Sequence, residues 1–273
     1  MTTPNNILLQ CLHSILVLET NSDFHDIYRL MARFLDDGFA VVYGIGSHGT
    51  SHMPKDDFVN YVYSKLSESG IISDLEHRID TGALRIMDVK EIYSENRDMV
   101  AGELLKKWTS IVNDSMRGGE FKGILVIAGG VMVFTDTGRQ DTLVAYEQSI
   151  LQALTSIGSI QVICCYPRDS LRNLEFSNLM SVASAHQCVM DARANYREIT
   201  YYSLLEAISE GVEGILGADS ARLILQTMKM IYGLDENAIL SNPGVFEEKL
   251  RRVLGNASPT VLDSICDRVR QLL

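Results

Sequence analysis

The chain has 273 residues, of which 46% are hydrophobic and 22% are charged, and its formal net charge at pH 7 is −11. This length suits one α/β domain with a buried core and a small second domain. The net negative charge excludes general electrostatic binding to nucleic acid or to an anionic membrane, because phosphate binding requires clustered Lys and Arg. The apolar runs are shorter than the roughly 20 residues that a membrane-spanning helix needs. The cysteines are scattered and form no CxxC pair, and the first residues show no signal-peptide pattern, so we predict a cytoplasmic location.

Short apolar runs predict six strands, and amphipathic stretches between them predict helices. The predicted strands are 14–18, 39–43, 84–89, 123–128, 160–165 and 187–190. Most of them are apolar on both faces, as expected of a parallel sheet that is covered by helices on each side. The alternation of strand and helix predicts an open, three-layer α/β sandwich with a mostly parallel sheet.

Beyond residue 197 the pattern consists of helical runs alone, which we predict at 201–216, 219–232, 243–254 and 259–272. Gly217, Gly233 and Gly255 each follow one of these runs, as glycine commonly does at the end of a helix. Ser203 and Glu206 have the spacing of a capping box. The sequence therefore predicts two domains, an α/β domain over 1–197 and a helical domain over 198–273.

Two positions that serve nucleotide hydrolysis in other α/β proteins lack the necessary groups. The first strand enters its helix through 20–23, Thr-Asn-Ser-Asp, where a phosphate-binding protein has a glycine-rich loop. The fourth strand ends at Ala128 and Gly129, where a hydrolase places an aspartate for its metal ion. We predict that the chain is not an enzyme, and we assign no catalytic residue.

The segment after the second strand is rich in glycine and histidine. Residues 44–49 match the pattern GxGxxG, and residues 44–51 match a phosphate loop with Thr50 in place of its lysine. Without that lysine a phosphate group loses its main positive partner, so we interpret the segment as a loop that gates a ligand. His48 and His52 have the spacing of zinc ligands on a helix, but the intervening residues and Pro54 disfavour a helix. We predict no metal and no cofactor.

Cys164 and Cys165 end the fifth strand, directly before Tyr166. A catalytic thiol needs a lowered pKa and a neighbouring base, and nothing in the sequence places His186 within reach. We therefore predict that both cysteines are buried and structural.

Taken together, these runs resemble the MEDS domain, the sensory module named for methanogens, methylotrophs and the dichloromethane regulator DcmR. The resemblance covers residues 10–195 and is carried by 13–19, 34–43, 82–88 with Tyr93, 146–147, 163–166 and 185–186. It implies a core similar to RecA- and KaiC-type ATPases that lacks the phosphate loop and the metal-binding residues. It also implies a sensor of small organic molecules such as hydrocarbon derivatives. The tail resembles a small helical output domain of archaeal signalling proteins.

We therefore predict a non-catalytic, cytoplasmic signalling protein that binds a small organic molecule at the carboxyl ends of its strands. The helical tail would relay occupancy to a protein partner or to a second copy of the chain. Two alternatives stay open: a degenerate nucleotide binder that uses 44–51 without hydrolysis, and a transcription regulator whose tail contacts DNA. Acidic residues outnumber the seven Lys and Arg of the tail, which disfavours DNA. The predicted ligand-binding residues lie at or just beyond strand ends: Glu19, Asn21, Phe24, Tyr43, Gly46, His48, Asp88, Met132 and Tyr166.

Overall fold

A computed structural model describes residues 12–18, 24–45, 55–89, 93, 101–117, 119–130, 134, 138–154, 160–190 and 196–273. The chain forms two compact units. The first, which we call the α/β unit, comprises the residues up to Ser170 together with Cys188–Arg197. The second, the helical unit, comprises Leu171–Gln187 and Glu198–Leu273. The domain boundary between 197 and 198 stays a prediction.

Among the described residues the sheet contains seven strands, and six of them coincide with the predicted runs to within two residues. The seventh strand was not predicted, because three residues are too few to show an alternating pattern. The strands are β1 (His13–Leu18), β2 (Ala40–Ile45), β3 (Leu84–Asp88), β4 (Ile124–Ala128), β5 (Ile160–Pro167), β6 (Cys188–Met190) and β7 (Tyr196–Glu198).

The strand order is β3-β2-β4-β5-β1-β6-β7. β1 pairs in parallel with β5 and β6, β2 pairs in parallel with β3 and β4, and β4 pairs in parallel with β5. The first strand of the chain therefore lies inside the sheet, beside the fifth and the sixth. The predicted mixed α/β fold with a mostly parallel sheet is confirmed.

One face of the sheet, which we call the first face, has a largely apolar core. Leu16, Tyr43, Ile127 and Ile163 of the strands lie in one hydrophobic cluster with residues of the first two helices. Burial of this apolar surface is the main stabilising contribution to the fold. The helices of the α/β unit are α1 (Phe24–Asp36), α2 (Lys55–Ser69), α3 (Leu75–Asp80), α4 (Ala101–Met116) and α5 (Gln140–Leu154).

The opposite side of the sheet, which we call the second face, is covered by α4 and α5. Side chains alternate between the faces along a strand, so Val126, Val162 and Cys164 project opposite to Ile127 and Ile163. Val126 and Val162 lie in one group with side chains of α4 and α5. The sheet is thus the middle of three layers.

The helical unit comprises the last two residues of α6 (Arg168–Arg172) and six further helices. They are α7 (Phe176–Ala185), α8 (Tyr201–Leu216), α9 (Ala218–Tyr232), α10 (Glu236–Ser241), α11 (Pro243–Leu254) and α12 (Ser258–Leu272). The four predicted tail helices are confirmed, and the short α10 was missed. α8 and α12 approach so closely that a Cβ at Gly211 would lie 2.5 Å from the Cα of Ile265.

The start of α8 differs from the predicted capping box. Thr200 is the N-cap: its side chain accepts from the Ser203 backbone N–H at 3.0 Å, and the Ser203 hydroxyl accepts from the Thr200 N–H at 3.0 Å. The box therefore begins three residues before the predicted position, and a serine hydroxyl replaces the expected glutamate. Gly217, Gly233 and Gly255 end helices with positive φ, as predicted.

The described cysteines are of two kinds. Cys164, Cys165 and Cys266 are free and buried, which confirms the burial predicted for the first two. Their structural role stays a prediction. Cys188 is disulfide-bonded, whereas the sequence predicts reduced cysteines. Among the described residues, no helix has the length and hydrophobicity that a membrane span requires.

Candidate functional site

Three of the nine predicted ligand-binding residues have described side chains, and the structure does not bring all three together. Tyr43 and Asp88 are buried on the first face, on the neighbouring strands β2 and β3. Tyr166 is buried on the second face of β5. Phe24 begins α1, but its side chain lies outside the described part. The other five predicted residues lie outside the described residues: Glu19, Asn21, Gly46, His48 and Met132. The pocket at the carboxyl edge stays a prediction.

The first glycine of the GxGxxG pattern has a packing role. Gly44 lies inside β2, and a Cβ there would lie 2.5 Å from the Val89 side chain and 2.8 Å from that of Trp108. Only glycine allows the sheet to approach these two side chains so closely. Packing therefore accounts for Gly44, whereas residues 46–54, with His48 and His52, lie outside the described residues.

Four polar side chains meet on the second face, and we call them the polar cluster: His13, Glu147, Cys164 and Tyr166. β1 lies beside β5, and its residue His13 is in register with Val162, so the imidazole is on the same face as Cys164 and Tyr166. α5 adds Glu147 from above the sheet. The side chains of His13 and Glu147 are fully buried, at 0% exposure.

The carboxylate of Glu147 lies at the centre of the polar cluster. Its Oε2 is 3.1 Å from His13 Nε2 and 3.4 Å from Cys164 Sγ, and its Oε1 accepts a 2.5 Å hydrogen bond from the Tyr166 hydroxyl. The distance between His13 Nε2 and Cys164 Sγ is 3.4 Å. Hydrogen bonding of this kind is required when a charged group is removed from water.

Burial keeps the Cys164 thiol and the Tyr166 hydroxyl of the polar cluster protonated. It raises the pKa of the Cys164 thiol well above its usual range, and the nearby Glu147 charge raises that pKa further. The same two causes raise the pKa of the Tyr166 hydroxyl. Both groups are therefore neutral donors at pH 7, and Cys164 in this state is a poor nucleophile.

An aromatic cluster of Tyr93, Trp108, Phe134 and Tyr146 lies next to the polar cluster. The Trp108 indole N–H donates to the Tyr93 hydroxyl at 3.0 Å, and the hydroxyls of Tyr93 and Tyr146 are 3.1 Å apart. The ring of Phe134 packs edge-on to Tyr93, with a centroid distance of 5.2 Å. Tyr146 immediately precedes Glu147 on α5, so the two clusters share one helix turn.

A small apolar cavity borders the aromatic cluster. Its volume is about 40 Å³, and it lies between α4, α5 and the second face of β4 and β5. This volume is below the roughly 150 Å³ of an engineered apolar cavity that binds benzene. The residues that line it include Trp108, Val112, Val126, Tyr146, Ile150 and Val162.

Sequence reasoning found Cys164 and Tyr166 but missed their partners His13 and Glu147. The available signal was a polar residue at a position that the helical period assigns to the core. Leu143, Tyr146 and Ile150 form the apolar stripe of α5, and Glu147 lies on that stripe. A glutamate in such a position needs a buried partner, which the sequence alone could not identify.

Fold and site together define a three-layer α/β module that buries a polar cluster and an apolar cavity on one face of its sheet, accompanied by a helical unit. The model of the family described as MEDS, the MEthanogen/methylotroph, DcmR Sensory domain, matches residues 25–187. This is more than half of the chain, and the chain belongs to the MEDS family. A search of the curated proteins finds no match. Three members of the polar cluster, Glu147, Cys164 and Tyr166, lie within the matched region.

Proposed function

We propose that this chain is a non-catalytic, cytoplasmic sensor that binds a small, largely apolar organic molecule and relays its presence through the helical unit. Membership of a sensory domain family supports the signalling role. The observation that carries the choice of ligand is the apolar cavity on the second face, between α4 and α5. A hydrocarbon derivative of a few heavy atoms matches the cavity in polarity, and only the smallest such molecule fits its volume without opening it.

The chemistry of the second face supports binding rather than catalysis. The nucleophile Cys164 and the hydroxyls of Tyr93, Tyr146 and Tyr166 are buried, and burial raises their pKa values. Enzymes activate such groups in the opposite direction, by lowering the pKa of a nucleophile beside a base. These groups are suited to orienting a ligand through hydrogen bonds.

The small size of the cavity provides a way to couple binding to a conformational change. A ligand larger than about three water-sized groups exceeds 40 Å³, so α4 and α5 must separate from the sheet to admit it. The ligand would then favour the open arrangement by its differential affinity for the two states. The carboxyl edge of the sheet, with the nine residues assigned from sequence, is the alternative location of the site.

An apolar stripe on α9 supports an interaction role for the helical unit. Leu223, Met230 and Ile231 are 65%, 83% and 71% exposed, respectively. Their spacing of seven and eight residues places them on one side of the helix. Such a stripe is suited to a protein partner or to a second copy of the chain, as proposed for the tail.

The basic residues of the tail support protein contact over DNA contact. Arg251 pairs with Glu247 at 2.7 Å, and Arg270 pairs with Asp267 at 3.0 Å. Arg270 also donates to the backbone carbonyl of Arg172 at 3.1 Å. These guanidinium groups already have acidic or carbonyl partners, whereas a DNA-binding surface offers them to phosphates.

The experiment is a thermal-shift series with one- to three-carbon hydrocarbon derivatives, in particular dichloromethane. At 100 times its Kd a ligand stabilises a protein by about 2.7 kcal/mol, so a specific ligand raises Tm measurably. Val126→Ile adds a methyl group to the cavity wall and is expected to abolish the shift. Val41→Ile, the same change on the first face, is the matched control and is expected to retain it.

Two outcomes would contradict the proposal. One is that no derivative in the series raises Tm. The other is that Val126→Ile binds as the unsubstituted protein does, in which case the ligand lies elsewhere. A series with ATP, GTP and NAD tests the nucleotide alternative, for which we expect no shift.

A further inference from the structure

The polar cluster brings together three kinds of metal-binding side chain. An imidazole nitrogen of His13, a carboxylate oxygen of Glu147 and the thiol sulfur of Cys164 point at one another inside the α/β unit. They come from three separate elements, β1, α5 and β5. We propose that these three residues form a binding site for a divalent transition-metal ion of the zinc or iron(II) class.

The distances between the three ligand atoms match tetrahedral coordination. Bonds of about 2.0 Å to nitrogen and oxygen and about 2.3 Å to sulfur place two ligands of a tetrahedron roughly 3.3 to 3.6 Å apart. The observed separations are 3.1 Å for His13 Nε2 to Glu147 Oε2, and 3.4 Å from Cys164 Sγ to each of them. An ion is accommodated by outward movements of roughly 0.2 Å, which side-chain rotation supplies.

A carboxylate that binds a metal ion normally also accepts a hydrogen bond from a residue that does not bind the ion, and Tyr166 donates that hydrogen bond here. Its hydroxyl donates to Glu147 Oε1, the oxygen that does not face His13 and Cys164. Such a bond fixes the orientation of the carboxylate and leaves Oε2 directed at the ion. Tyr166 is therefore a positioning residue for the site.

The charges of the site balance when an ion is bound. A divalent cation with one carboxylate, one thiolate and a neutral imidazole has no net charge, so its burial avoids the penalty of an uncompensated charge. The mixture of sulfur, nitrogen and oxygen ligands favours zinc or iron(II) over magnesium or calcium, which prefer oxygen alone.

The test uses the full-length, untagged protein and cobalt(II) as the optical probe. We expect the metal-depleted protein to bind one equivalent of cobalt(II) and to develop a thiolate-to-cobalt charge-transfer band. Cys164→Ser is expected to lose that band and to weaken binding at least tenfold. The matched control is Cys165→Ser, which changes the neighbouring buried thiol on the opposite face of β5 and is expected to retain both.

The proposal is overturned if the protein binds no cobalt(II), or if the band persists in Cys164→Ser. Should Cys164→Ser fail to fold, X-ray absorption of the zinc-loaded, unsubstituted protein decides the question. One sulfur neighbour at about 2.3 Å, with nitrogen and oxygen neighbours, supports the site. A zinc coordination shell without sulfur shows that the ion binds elsewhere. In that case hydrogen bonds alone hold His13, Glu147 and Cys164 together.

Discussion

The two faces of one sheet use buried side chains in different ways. On the first face, Phe34 and Ile127 belong to a continuous core of mostly apolar residues, although Asp88 is buried on this face as well. On the second face, Glu147 and His13 are equally buried, but they are polar and need partners. Burying such groups costs free energy unless every one is hydrogen-bonded, so a sequence that needed only stability would avoid them. From this difference we propose that the first face mainly stabilises the domain and that the second face carries its function.

Adjacent residues on β5 show the same contrast. Cys165 faces the apolar core, where burial alone raises the pKa of its thiol to about 12. Cys164 faces the polar cluster, where the Glu147 charge adds to burial and raises its pKa as well. Both thiols are protonated and therefore poor nucleophiles at pH 7, but only Cys164 lies beside other side chains that can bind a metal ion.

Alkaline pH is expected to produce the largest effect. It destabilises both faces, because burial also raises the pKa of Tyr43 on the first face, but we expect the second face, which buries Tyr93, Tyr146 and Tyr166, to open first. Burial raises the pKa values of Tyr93 and Tyr146, so both remain neutral in the folded state while they ionise near pH 10 in the unfolded state. The unfolded state therefore binds fewer protons, and stability is full below pH 10 and falls above it. Trp108, the only tryptophan, donates to Tyr93 and reports on this face. We expect its fluorescence to change at a lower pH than the far-UV circular dichroism. Coincident transitions would contradict a difference between the faces.

Phe34→Ala removes a ring from the first face and is expected to cost about 3–5 kcal/mol in the free energy of unfolding. The ring is 2% exposed and packs edge-on to Phe39 at 5.3 Å. Urea unfolding measures the loss, and ligand affinity of the folded fraction should not change. Tyr61→Ala is a suitable control because Tyr61 is exposed. A cost below 1 kcal/mol for Phe34→Ala would mean that the first face is not the main source of stability.

Tyr166→Phe removes the hydroxyl that donates to Glu147 on the second face. Hydrogen bonds to charged groups contribute about 1.5–3 kcal/mol, so we expect a loss in that range. Tyr43→Phe makes the same change on the first face and should cost less, because that ring lies in the apolar core. Urea unfolding of the pair measures the difference. Equal losses in the free energy of unfolding would show that the hydrogen bond from Tyr166 to Glu147 contributes no more to stability than the Tyr43 hydroxyl does.

Gly44→Ala tests the close approach on the second face. The added Cβ would lie 2.5 Å from Val89 and 2.8 Å from Trp108, and overpacking of this kind typically costs about 1–3 kcal/mol. Trp108 fluorescence should shift with the substitution. Gly102→Ala on α4 is the control, since no atom lies within 4 Å of its added Cβ. A neutral result at Gly44 would indicate that this glycine serves the loop that follows and not the packing.

The sequence predicts the elements well and their three-dimensional neighbours poorly. Strands such as β4 are apolar on both faces and are bounded by glycine, so six of them could be located from pattern alone. β7 and α10 are too short to show a period. The polar cluster could not be predicted, because His13 meets Cys164 only through the placement of β1 beside β5, 151 residues later in the chain. Local periodicity contains no information about that pairing.

We propose that the second face is the ligand-binding face of a sensor, and Trp108 allows a direct test. The protein is titrated with dichloromethane while the fluorescence of Trp108, which lines the cavity, is recorded. We expect a saturable change in the unsubstituted protein and in Val41→Ile, and its loss in Val126→Ile. A change that rises linearly without saturation, or one that is intact in Val126→Ile, would show that the ligand does not bind in the cavity of the second face.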